Sequence, residues 1–235
     1  MSSRLGLPTG EPIFRAMCGR VRLSSDVSEI KFIFSIPPHR PTPNFPQSWN
    51  VAPTDPLPVV RYDAKAGGRS LDLLRWGLIP YWEKDIKVGF ANMRRPRASR
   101  ASRRFARRSS VAAASCRSMA STNGKRPLTG KQPYAIALSD RRLMALAGIW
   151  ENWRSPAGEW MRTFAIITTA PNELCAELHN RMPAVLQPEA WSLWLGQEPA
   201  EPAELKALLK PFPSEEMTCW PVSPRSATSG ITTRA

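Results

Sequence analysis

The chain has 235 residues, of which 42% are hydrophobic, and this length and apolar content are typical of one compact domain. No apolar run approaches the roughly 18 residues that a membrane span requires, so we expect no membrane partner. The four cysteines are far apart, and the two histidines are His39 and His179, which argues against a zinc site or a disulfide framework. We therefore expect no metal or other cofactor, a monomer and, without a secretory signal, a cytoplasmic location.

The formal net charge of +14 comes from one part of the chain. Residues 86–139 contain thirteen Lys and Arg residues and no Asp or Glu, while the rest of the chain is close to neutral. A strongly basic chain is typical of proteins that bind nucleic acid. Because the charge is confined to one segment, it does not by itself establish such a partner.

The first half of the chain is predicted to form three strands and one helix. A strand through residues 21–23 precedes a short amphipathic helix that Asp26 can cap, with apolar residues from Val27 to Ile33 at helical spacing. A Pro-rich loop follows at residues 37–46. The remaining strands are predicted at residues 57–62 and 71–77.

The second half is richer in strands than in helices. Strands are predicted at residues 134–138, 143–150, 164–169, 184–186 and 220–223, a short helix start at 171–174, and helices at 188–195 and 202–209. Many strands, few helices and no βαβ alternation indicate the α+β class. We predict a single domain with a mixed or antiparallel, barrel-like sheet and a few flanking helices.

The segment Met17-Cys18-Gly19-Arg20 contains the first candidate for chemistry. If translation starts at Met17 and that methionine is removed, Cys18 carries both a free α-amine and a thiol. Such a 1,2-aminothiol condenses with an aldehyde to a Schiff base, and the thiol then closes a five-membered thiazolidine ring. The amine titrates near pH ~8 and the thiol near ~8.5, so both are partly available at neutral pH. The alternative at this point is an ordinary buried cysteine that opens a strand.

Residues 76–82 contain two tryptophans, Trp76 and Trp82, among Gly and Pro residues. This pattern predicts a loop that carries exposed aromatic side chains. Such side chains can stack on nucleic-acid bases, with about 1–3 kcal/mol for each stacked base. Packing in the core is the equally weighted alternative.

Short motifs follow one another along residues 17–92 and 128–225. They lie at residues 17–20, 49–53, 75–80, 90–92, 131–134, 146–151, 168–169, 179–183 and 220–223. Typical examples are Trp49-Asn50-Val51-Ala52-Pro53 and His179-Asn180-Arg181-Met182-Pro183. In this order they resemble the motifs of the SOS-response-associated peptidase (SRAP) family, the proteins that shield abasic sites in single-stranded DNA.

This resemblance implies a specific reaction. Cys18, after removal of the initiator Met, would attack the aldehyde of a ring-opened abasic sugar and form a stable thiazolidine crosslink. Asn92 would position Cys18 or the sugar, and His179 would assist proton transfer. The DNA-binding residues that the resemblance implies are Arg20, Asn50, Trp76, Arg94 and Arg181. The expected partner is single-stranded DNA with abasic sites, met at the nucleoid in the DNA damage (SOS) response.

One element of the family is missing from the chain. The family has a catalytic glutamate in a Gly-Phe-Tyr-Glu-Trp strand, but residues 118–125 here contain no acid. When residues 116–125 are written with suitable codons and read one base earlier, they give Leu-Pro-Val-Asp-Gly-Phe-Tyr-Glu-Trp-Lys. Residues 93–97 and 226–235 also give family-like segments in this way. We therefore hypothesise that residues 93–127 and 226–235 are out of frame.

The frame hypothesis has two opposite consequences. A gene product in the restored frame has the glutamate and loses most of its excess positive charge. A chain with the sequence as written lacks the acid and, we expect, a central strand. Such a chain would fold poorly, because a lost interior strand leaves two sheet edges exposed.

The chain is predicted to have three parts. Residues 1–16 form a non-native or removable N-terminal extension, residues 17–225 an SRAP-like domain, and residues 226–235 an anomalous tail. An extension before Met17 holds the α-amine of Cys18 in a peptide bond and prevents thiazolidine formation. Translation from Met17, or removal of a propeptide, would free that amine.

Three alternative functions are compatible with the residues. The first is a cysteine peptidase or amidase of the N-terminal-nucleophile type, autoproteolytic and using Cys18 and His179. The second is a non-catalytic module for single-stranded DNA, which would bind in a Cys18→Ala variant and lose affinity steeply with salt. The third is an inactive frameshifted copy. Peptidase, hydrolase and lyase-like activities are all open at this point.

Overall fold

The computed structural model describes residues 20–92, 94–96, 109–113, 115–119 and 132–223. Within these residues the chain forms twelve β-strands and five short α-helices. The strands are β1 Arg20–Leu23, β2 Ser48–Val51, β3 Pro56–Asp63, β4 Gly68–Trp76, β5 Arg94–Pro96, β6 Ser109–Ala113, β7 Ser115–Met119, β8 Pro133–Leu138, β9 Ala145–Arg154, β10 Trp160–Thr169, β11 Met182–Pro183 and β12 Met217–Pro221. The helices are α1 Val27–Ile33, α2 Val88–Ala91, α3 Glu173–Ala176, α4 Trp191–Leu195 and α5 Pro202–Ala207, with 3-10 turns at Pro188–Ala190 and Ser214–Glu216.

The strands form two sheets, one open and one closed. The open sheet has the order β12-β8-β7-β1-β2 and is antiparallel throughout. In the other sheet, strands β10, β4, β3, β6 and β9 form a ring, because β9 also pairs with β10. Among the described strands, β10 pairs in parallel with β4 and β5, and the other pairings are antiparallel. The predicted α+β domain with a mixed, barrel-like sheet is confirmed.

The core is one cluster of buried side chains to which both sheets and the C-terminal helices contribute. The largest fully buried side chains include Trp76, Phe164 and Trp194. Each such side chain contributes about 1.5–3 kcal/mol through burial alone. Helix α4 is fixed on β6 because Trp194 Nε1 donates a hydrogen bond to the carbonyl oxygen of Ser110 at 3.0 Å.

Short polar residues begin the helices where the sequence predicts them. The carboxylate of Asp26 accepts a hydrogen bond from the backbone N–H of Glu29 at 2.8 Å and starts α1, as expected of an N-cap. The side chain of Asn172 likewise accepts from the N–H of Cys175 at 2.9 Å and starts α3. The helix prediction at residues 27–33 and the helix start at 171–174 are therefore confirmed.

Two short segments differ from the prediction. Residues 48–51 form the edge strand β2 beside β1, although the Pro-rich loop before them gave no strand signal. Residues 184–186 do not form a strand; Val185 makes an isolated bridge to Leu146, and the ladder pairing lies just before it, at β11. Because main-chain pairing at an edge involves only a few residues, such segments carry little pattern of their own.

The expectation that a chain with this sequence lacks a central strand is wrong. Strand β7 lies between β1 and β8, with Arg117 opposite Arg20 and Cys116 opposite Ile136. Strand β6 closes the ring between β3 and β9. Sheet pairing uses backbone N–H and C=O groups, which every non-proline residue has, so Ser- and Ala-rich segments can occupy these positions. The five residues of β7 contain no acid, and the missing glutamate is therefore not replaced within this strand.

Candidate active site

Strand β10 is the element to which the predicted site segments are attached. Phe164 lies beside Trp76, the last residue of β4, and its carbonyl accepts a hydrogen bond from the N–H of Gly77 at 2.8 Å. Strand β5 runs parallel to Ile166–Thr168, and β11 pairs with Thr168 and Thr169. The segments that carry Asn92, Arg94 and Arg181 therefore all meet the C-terminal half of β10.

Asn92 is positioned by its backbone at the end of α2. Its N–H donates to the carbonyl oxygens of Val88 and Gly89, both at 3.2 Å, and its carbonyl accepts from the N–H of Leu78 at 3.2 Å. Helix α2 lies tightly against the residue after β4, since a Cβ atom on Gly77 would lie 2.5 Å from the carbonyl oxygen of Gly89. Asn92 is partly exposed, and these hydrogen bonds hold its backbone in place.

His179 and Arg181 lie in the turn between α3 and β11. The N–H of His179 donates to the carbonyl of Cys175 at 2.8 Å, and the N–H of Arg181 donates to Nδ1 of His179 at 3.1 Å. The Arg181 guanidinium is held by Thr168 on β10: Nε donates to the hydroxyl oxygen at 2.9 Å and Nη2 donates to the carbonyl. Thr168 is buried, whereas His179 and Arg181 are partly exposed.

Arg20 and Asn50 lie side by side on the first two strands of the open sheet. Nη1 of Arg20 approaches the carbonyl oxygen of Asn50 at 3.5 Å. Arg22 and Trp49 form a second pair on the same two strands. The guanidinium carbon of Arg22 lies 3.8 Å from the centre of the Trp49 indole ring, which is a cation–π arrangement. These strands therefore present a surface of basic and aromatic groups.

The chain after β2 connects this surface to the β10 site. The N–H of Thr54 donates to the carbonyl of Trp76 at 2.7 Å, and the N–H of Trp76 donates to the carbonyl of Asp55 at 3.0 Å. Because Trp76 lies beside Phe164 of β10, the segment that follows Asn50 is fixed at the same end of the ring as Asn92.

The prediction that Trp76 lines a DNA groove is wrong. Its side chain is fully buried, and along the end of β4 the buried Leu74 and Trp76 alternate with the partly buried Arg75. The ring system of Trp76 therefore cannot stack on a base.

Three exposed aromatic residues follow Trp76 in the chain, two in the loop and one in α2. Trp82 is 66% exposed, Tyr81 50% and Phe90 60%, and the rings of Tyr81 and Trp82 meet edge to face with centroids 4.9 Å apart. The buried Trp153 of β9 anchors this loop by donating from Nε1 to the carbonyl of Glu83 at 2.6 Å. The prediction of exposed aromatics in this loop is confirmed for Trp82.

Cys18 and the side chain of Arg94 lie outside the described residues, as do residues 1–16 and the tail at 226–235. Their predicted roles stay predictions. Of the cysteines whose side chains the structure describes, Cys175 is buried and Cys219 is partly buried. Burial, and secondarily the charge of Glu177, raises the pKa of the Cys219 thiol. Since the thiolate is the nucleophile, Cys219 is a weak nucleophile at neutral pH.

Comparison with known proteins identifies the family. The family model described as SOS response associated peptidase (SRAP) matches residues 17–228 of this chain. The chain belongs to the SRAP family. The matched span includes every motif that the sequence suggested and also the anomalous residues 93–127.

Curated relatives come from bacteria, yeast and animals. The chain is 36% identical over 211 residues to the abasic site processing protein YoqW of Bacillus subtilis, covering 88% of this chain and 92% of that protein. Identity to the abasic site processing protein YoaM of the same bacterium is 34% over 210 residues, with 88% and 91% covered. Identity to the rat abasic site processing protein HMCES is 27% over 227 residues, with 80% of this chain and 64% of the rat protein covered.

Solved structures share the fold. A protein from Bacteroides thetaiotaomicron superimposes with a TM-score of 0.76 at 21% identity, covering 93% of this chain and all of that chain (100%). A protein from Bordetella bronchiseptica gives a TM-score of 0.71 at 20% identity, with 88% and 100% covered. At these identities the likeness establishes the fold alone.

Sequence reasoning missed the residue that holds Arg181. Thr168 and Thr169 form one of the SRAP motifs, but the motif assigns them no role. Both are buried, at 4% and 2% exposure; Thr168 accepts from Arg181, while the hydroxyl of Thr169 donates to the carbonyl of Leu209 at 3.0 Å. Two consecutive buried threonines at the end of an apolar strand are the signal that could have indicated such a role, because buried hydroxyls need partners.

Two other kinds of site are not found in the described part of the chain. No three His, Cys, Asp or Glu side chains lie together in a way that could hold a metal ion. No helix there is long and apolar enough to cross a membrane.

Proposed function

We propose that this SRAP chain processes abasic sites in DNA. The observation that carries the proposal is the 36% identity to YoqW, whose name is abasic site processing protein, over 92% of that protein's length. YoaM and rat HMCES, at lower identity, have names of the same kind. An abasic site differs from intact DNA in its sugar, which opens to an aldehyde, and the aldehyde is the group that an N-terminal cysteine can trap.

The proposed reaction forms a thiazolidine between Cys18 and the abasic sugar. The α-amine of Cys18 attacks the aldehyde carbon, and the aldehyde oxygen leaves as water to give a Schiff base. The thiol sulfur then adds to the same carbon, and its proton ends on the nitrogen as the ring closes. One molecule of water is lost in total, and no oxidant, reductant or cofactor is needed.

Asn92 and His179 are the proposed catalytic partners of Cys18. Asn92 would position Cys18 or the sugar, and His179 would assist the proton movements of the two steps. Their attachment supports this role: both are partly exposed, and both belong to segments fixed to the C-terminal half of β10.

The DNA strand is proposed to contact basic residues and one exposed aromatic loop. Arg20, Asn50, Arg94 and Arg181 are the proposed polar and basic contacts. Trp82 replaces Trp76 as the residue that stacks on bases, because its ring is exposed. Stacking on a protein ring requires an unpaired base, which supports single-stranded DNA as the substrate.

Incubation with a single-stranded oligonucleotide that contains one abasic site tests the proposal. For protein translated from Met17, with that methionine removed, we expect a protein–DNA band that survives denaturing electrophoresis. The Cys18→Ala variant should give no such band, while Cys219→Ser is the matched control and should give as much as the unmodified protein. An oligonucleotide whose aldehyde has been reduced with borohydride should give none.

The start of the chain provides a second comparison. The 235-residue chain should not crosslink, because the α-amine of Cys18 is in a peptide bond, unless the extension is removed. A crosslink of equal yield from the intact 235-residue chain, or from Cys18→Ala, would contradict the proposed chemistry. Hydrolysis of a peptide amide that depends on Cys18 and His179, without a DNA adduct, would favour the peptidase instead.

A further inference from the structure

We propose that Thr168 is a positioning residue that, through Arg181, fixes the protonation tautomer of His179. The effect on catalysis rests on the function proposed above. The effect on the tautomer of His179 rests on hydrogen bonds in the structure alone. The contacts form a chain from a buried strand to the imidazole, with Thr168 on β10 at one end and His179 in the turn before β11 at the other.

The first link is the contact between Arg181 and Thr168. The guanidinium donates from Nε to the Thr168 hydroxyl at 2.9 Å and from Nη2 to the Thr168 carbonyl. Two bonds from a planar, permanently charged group fix its orientation better than one bond does. Thr168 is itself held in the ladder, opposite Pro183 of β11 and Pro96 of β5. Arg181 is therefore tied to a buried residue near the end of β10.

The second link is the contact between the Arg181 backbone and His179. The N–H of Arg181 donates to Nδ1 of the imidazole at 3.1 Å. A neutral imidazole has one N–H donor and one acceptor nitrogen. Because Nδ1 accepts here, the proton of the neutral ring is on Nε2. A hydrogen bond to one ring nitrogen commonly decides the state of the other in this way.

The tautomer limits what His179 can do in the proposed reaction. In this form Nε2 is a hydrogen-bond donor, suited to an oxygen such as that of the opened sugar's aldehyde. Donation to this oxygen makes the aldehyde carbon more electrophilic when the Cys18 amine attacks. Loss of the Thr168 hydroxyl would free one end of the Arg181 guanidinium and loosen the turn that carries the N–H to Nδ1.

The chain offers a matched pair of variants. Thr168→Val removes the hydroxyl that accepts from Arg181 and keeps the shape of the side chain. Thr169→Val, one residue later, removes a hydroxyl that is equally buried and bonded, but to Leu209. The two variants should lower the melting temperature similarly, so a difference in any other property is not due to stability. Thr168→Ser keeps the hydroxyl and should restore the unmodified behaviour.

Nitrogen NMR of the histidine rings of the full chain provides the structural test. The chain has two histidines, His39 and His179, and a His39→Gln variant assigns the signals. We expect His179 to show an unprotonated Nδ1 and a protonated Nε2. This pattern should be kept in Thr169→Val and Thr168→Ser, and should become a mixture of tautomers in Thr168→Val. A His179 ring protonated on Nδ1 in the unmodified protein, or no change in Thr168→Val, would overturn the inference.

Crosslinking rates give the functional test. With protein whose Cys18 amine is free, Thr168→Val should slow the first-order crosslinking step roughly tenfold at saturating DNA, the order expected for a bond to a charged group. Thr169→Val should not slow it. If the unmodified protein forms no crosslink, the proposed function fails while the NMR result still decides the tautomer. A tautomer change in Thr168→Val without a change in rate would refute the catalytic part alone.

Discussion

The cysteines of this chain differ in what their surroundings allow them to do. The proposed chemistry needs a thiol and an amine on one residue, which only a freed Cys18 can supply. Cys175 is fully buried in α3 and packs in the core. Cys219 on β12 is partly exposed, and its pKa is raised, chiefly by burial. A background reaction of Cys219 with aldehydes or alkylating agents should therefore be slow.

The pH dependence of labelling tests this account of Cys219. A raised pKa means that the thiolate fraction at a given pH is smaller than for an ordinary thiol, whose pKa is about 8.5. In a Cys18→Ala variant, the alkylation rate of Cys219 with iodoacetamide should keep rising with pH beyond the point where a free cysteine in a model peptide levels off. Peptide mapping by mass spectrometry separates the sites. Rapid labelling of Cys219 near pH 7 would contradict the prediction.

Helix α2 shows how a glycine contact and a backbone hydrogen bond can position a short element. The helix has four residues and no side-chain cap, so its own sequence contributes little to its stability. Its place is set by the contact between Gly77 and Gly89 and by the hydrogen bond from Leu78 to Asn92. Gly77 has φ of +134°, a conformation that other residues rarely adopt.

A Gly77→Ala variant should be strongly destabilised. The added Cβ would meet the carbonyl oxygen of Gly89 at 2.5 Å, and the backbone strain adds to this clash, for a total of about 2–4 kcal/mol. Gly158→Ala is the matched control, because φ is +90° there but the nearest atom, Nη2 of Arg154, is 3.6 Å away. That control should lose about 1–2 kcal/mol, the cost of the backbone alone.

Chemical denaturation measures both free energies of unfolding. The Gly77→Ala variant should also crosslink abasic DNA more slowly, since Asn92 moves with the helix. An equal loss of stability in the two variants would show that the contact with Gly89 does not matter.

On the whole molecule, two tryptophans of the described residues are strongly exposed, Trp82 and Trp160. Trp82 lies in the loop that leads from β4 through α2 to Asn92. Trp160 is the first residue of β10 and lies opposite Arg154 of β9. The guanidinium carbon of Arg154 is 5.8 Å from the centre of the Trp160 ring. The two side chains are exposed to similar extents, 66% and 71%. If DNA binds at the end of the ring that carries Asn92, only Trp82 should contribute.

Binding of single-stranded DNA separates the two tryptophans. Trp82→Ala should weaken affinity by about tenfold, the lower part of the range for one stacked base, and Trp160→Ala should leave it unchanged. Fluorescence anisotropy with a labelled oligonucleotide that lacks an abasic site measures this without the crosslink. Equal losses in both variants would argue against a binding surface at this end of the molecule.

Much of the fold follows from local patterns, while the site depends on contacts between distant residues. The caps at Asp26 and Asn172 and the alternating strands predict elements that the structure contains. The groove role of Trp76 came from the family resemblance, whereas the strand predicted at residues 71–77 and the alternative of core packing agree with its burial at the end of β4. The bond between Thr168 and Arg181 could not be predicted, since it joins a strand to a turn thirteen residues away in the chain. The strand at residues 115–119 was not predicted, because strand pairing uses backbone N–H and C=O groups and these are the same for almost every residue type.

The masses of the protein and of its DNA adduct together test the proposed crosslinking function. Protein expressed from its native gene should begin at Cys18. If the gene has the restored frame, the protein mass should also be that of a chain with the family's glutamate. This protein is then incubated with abasic single-stranded DNA. The adduct should weigh the sum of protein and oligonucleotide less one molecule of water, without any reducing agent, and fragmentation should place the DNA on Cys18. A protein mass equal to the 235 residues as written, together with no adduct of this mass, would contradict the crosslinking function.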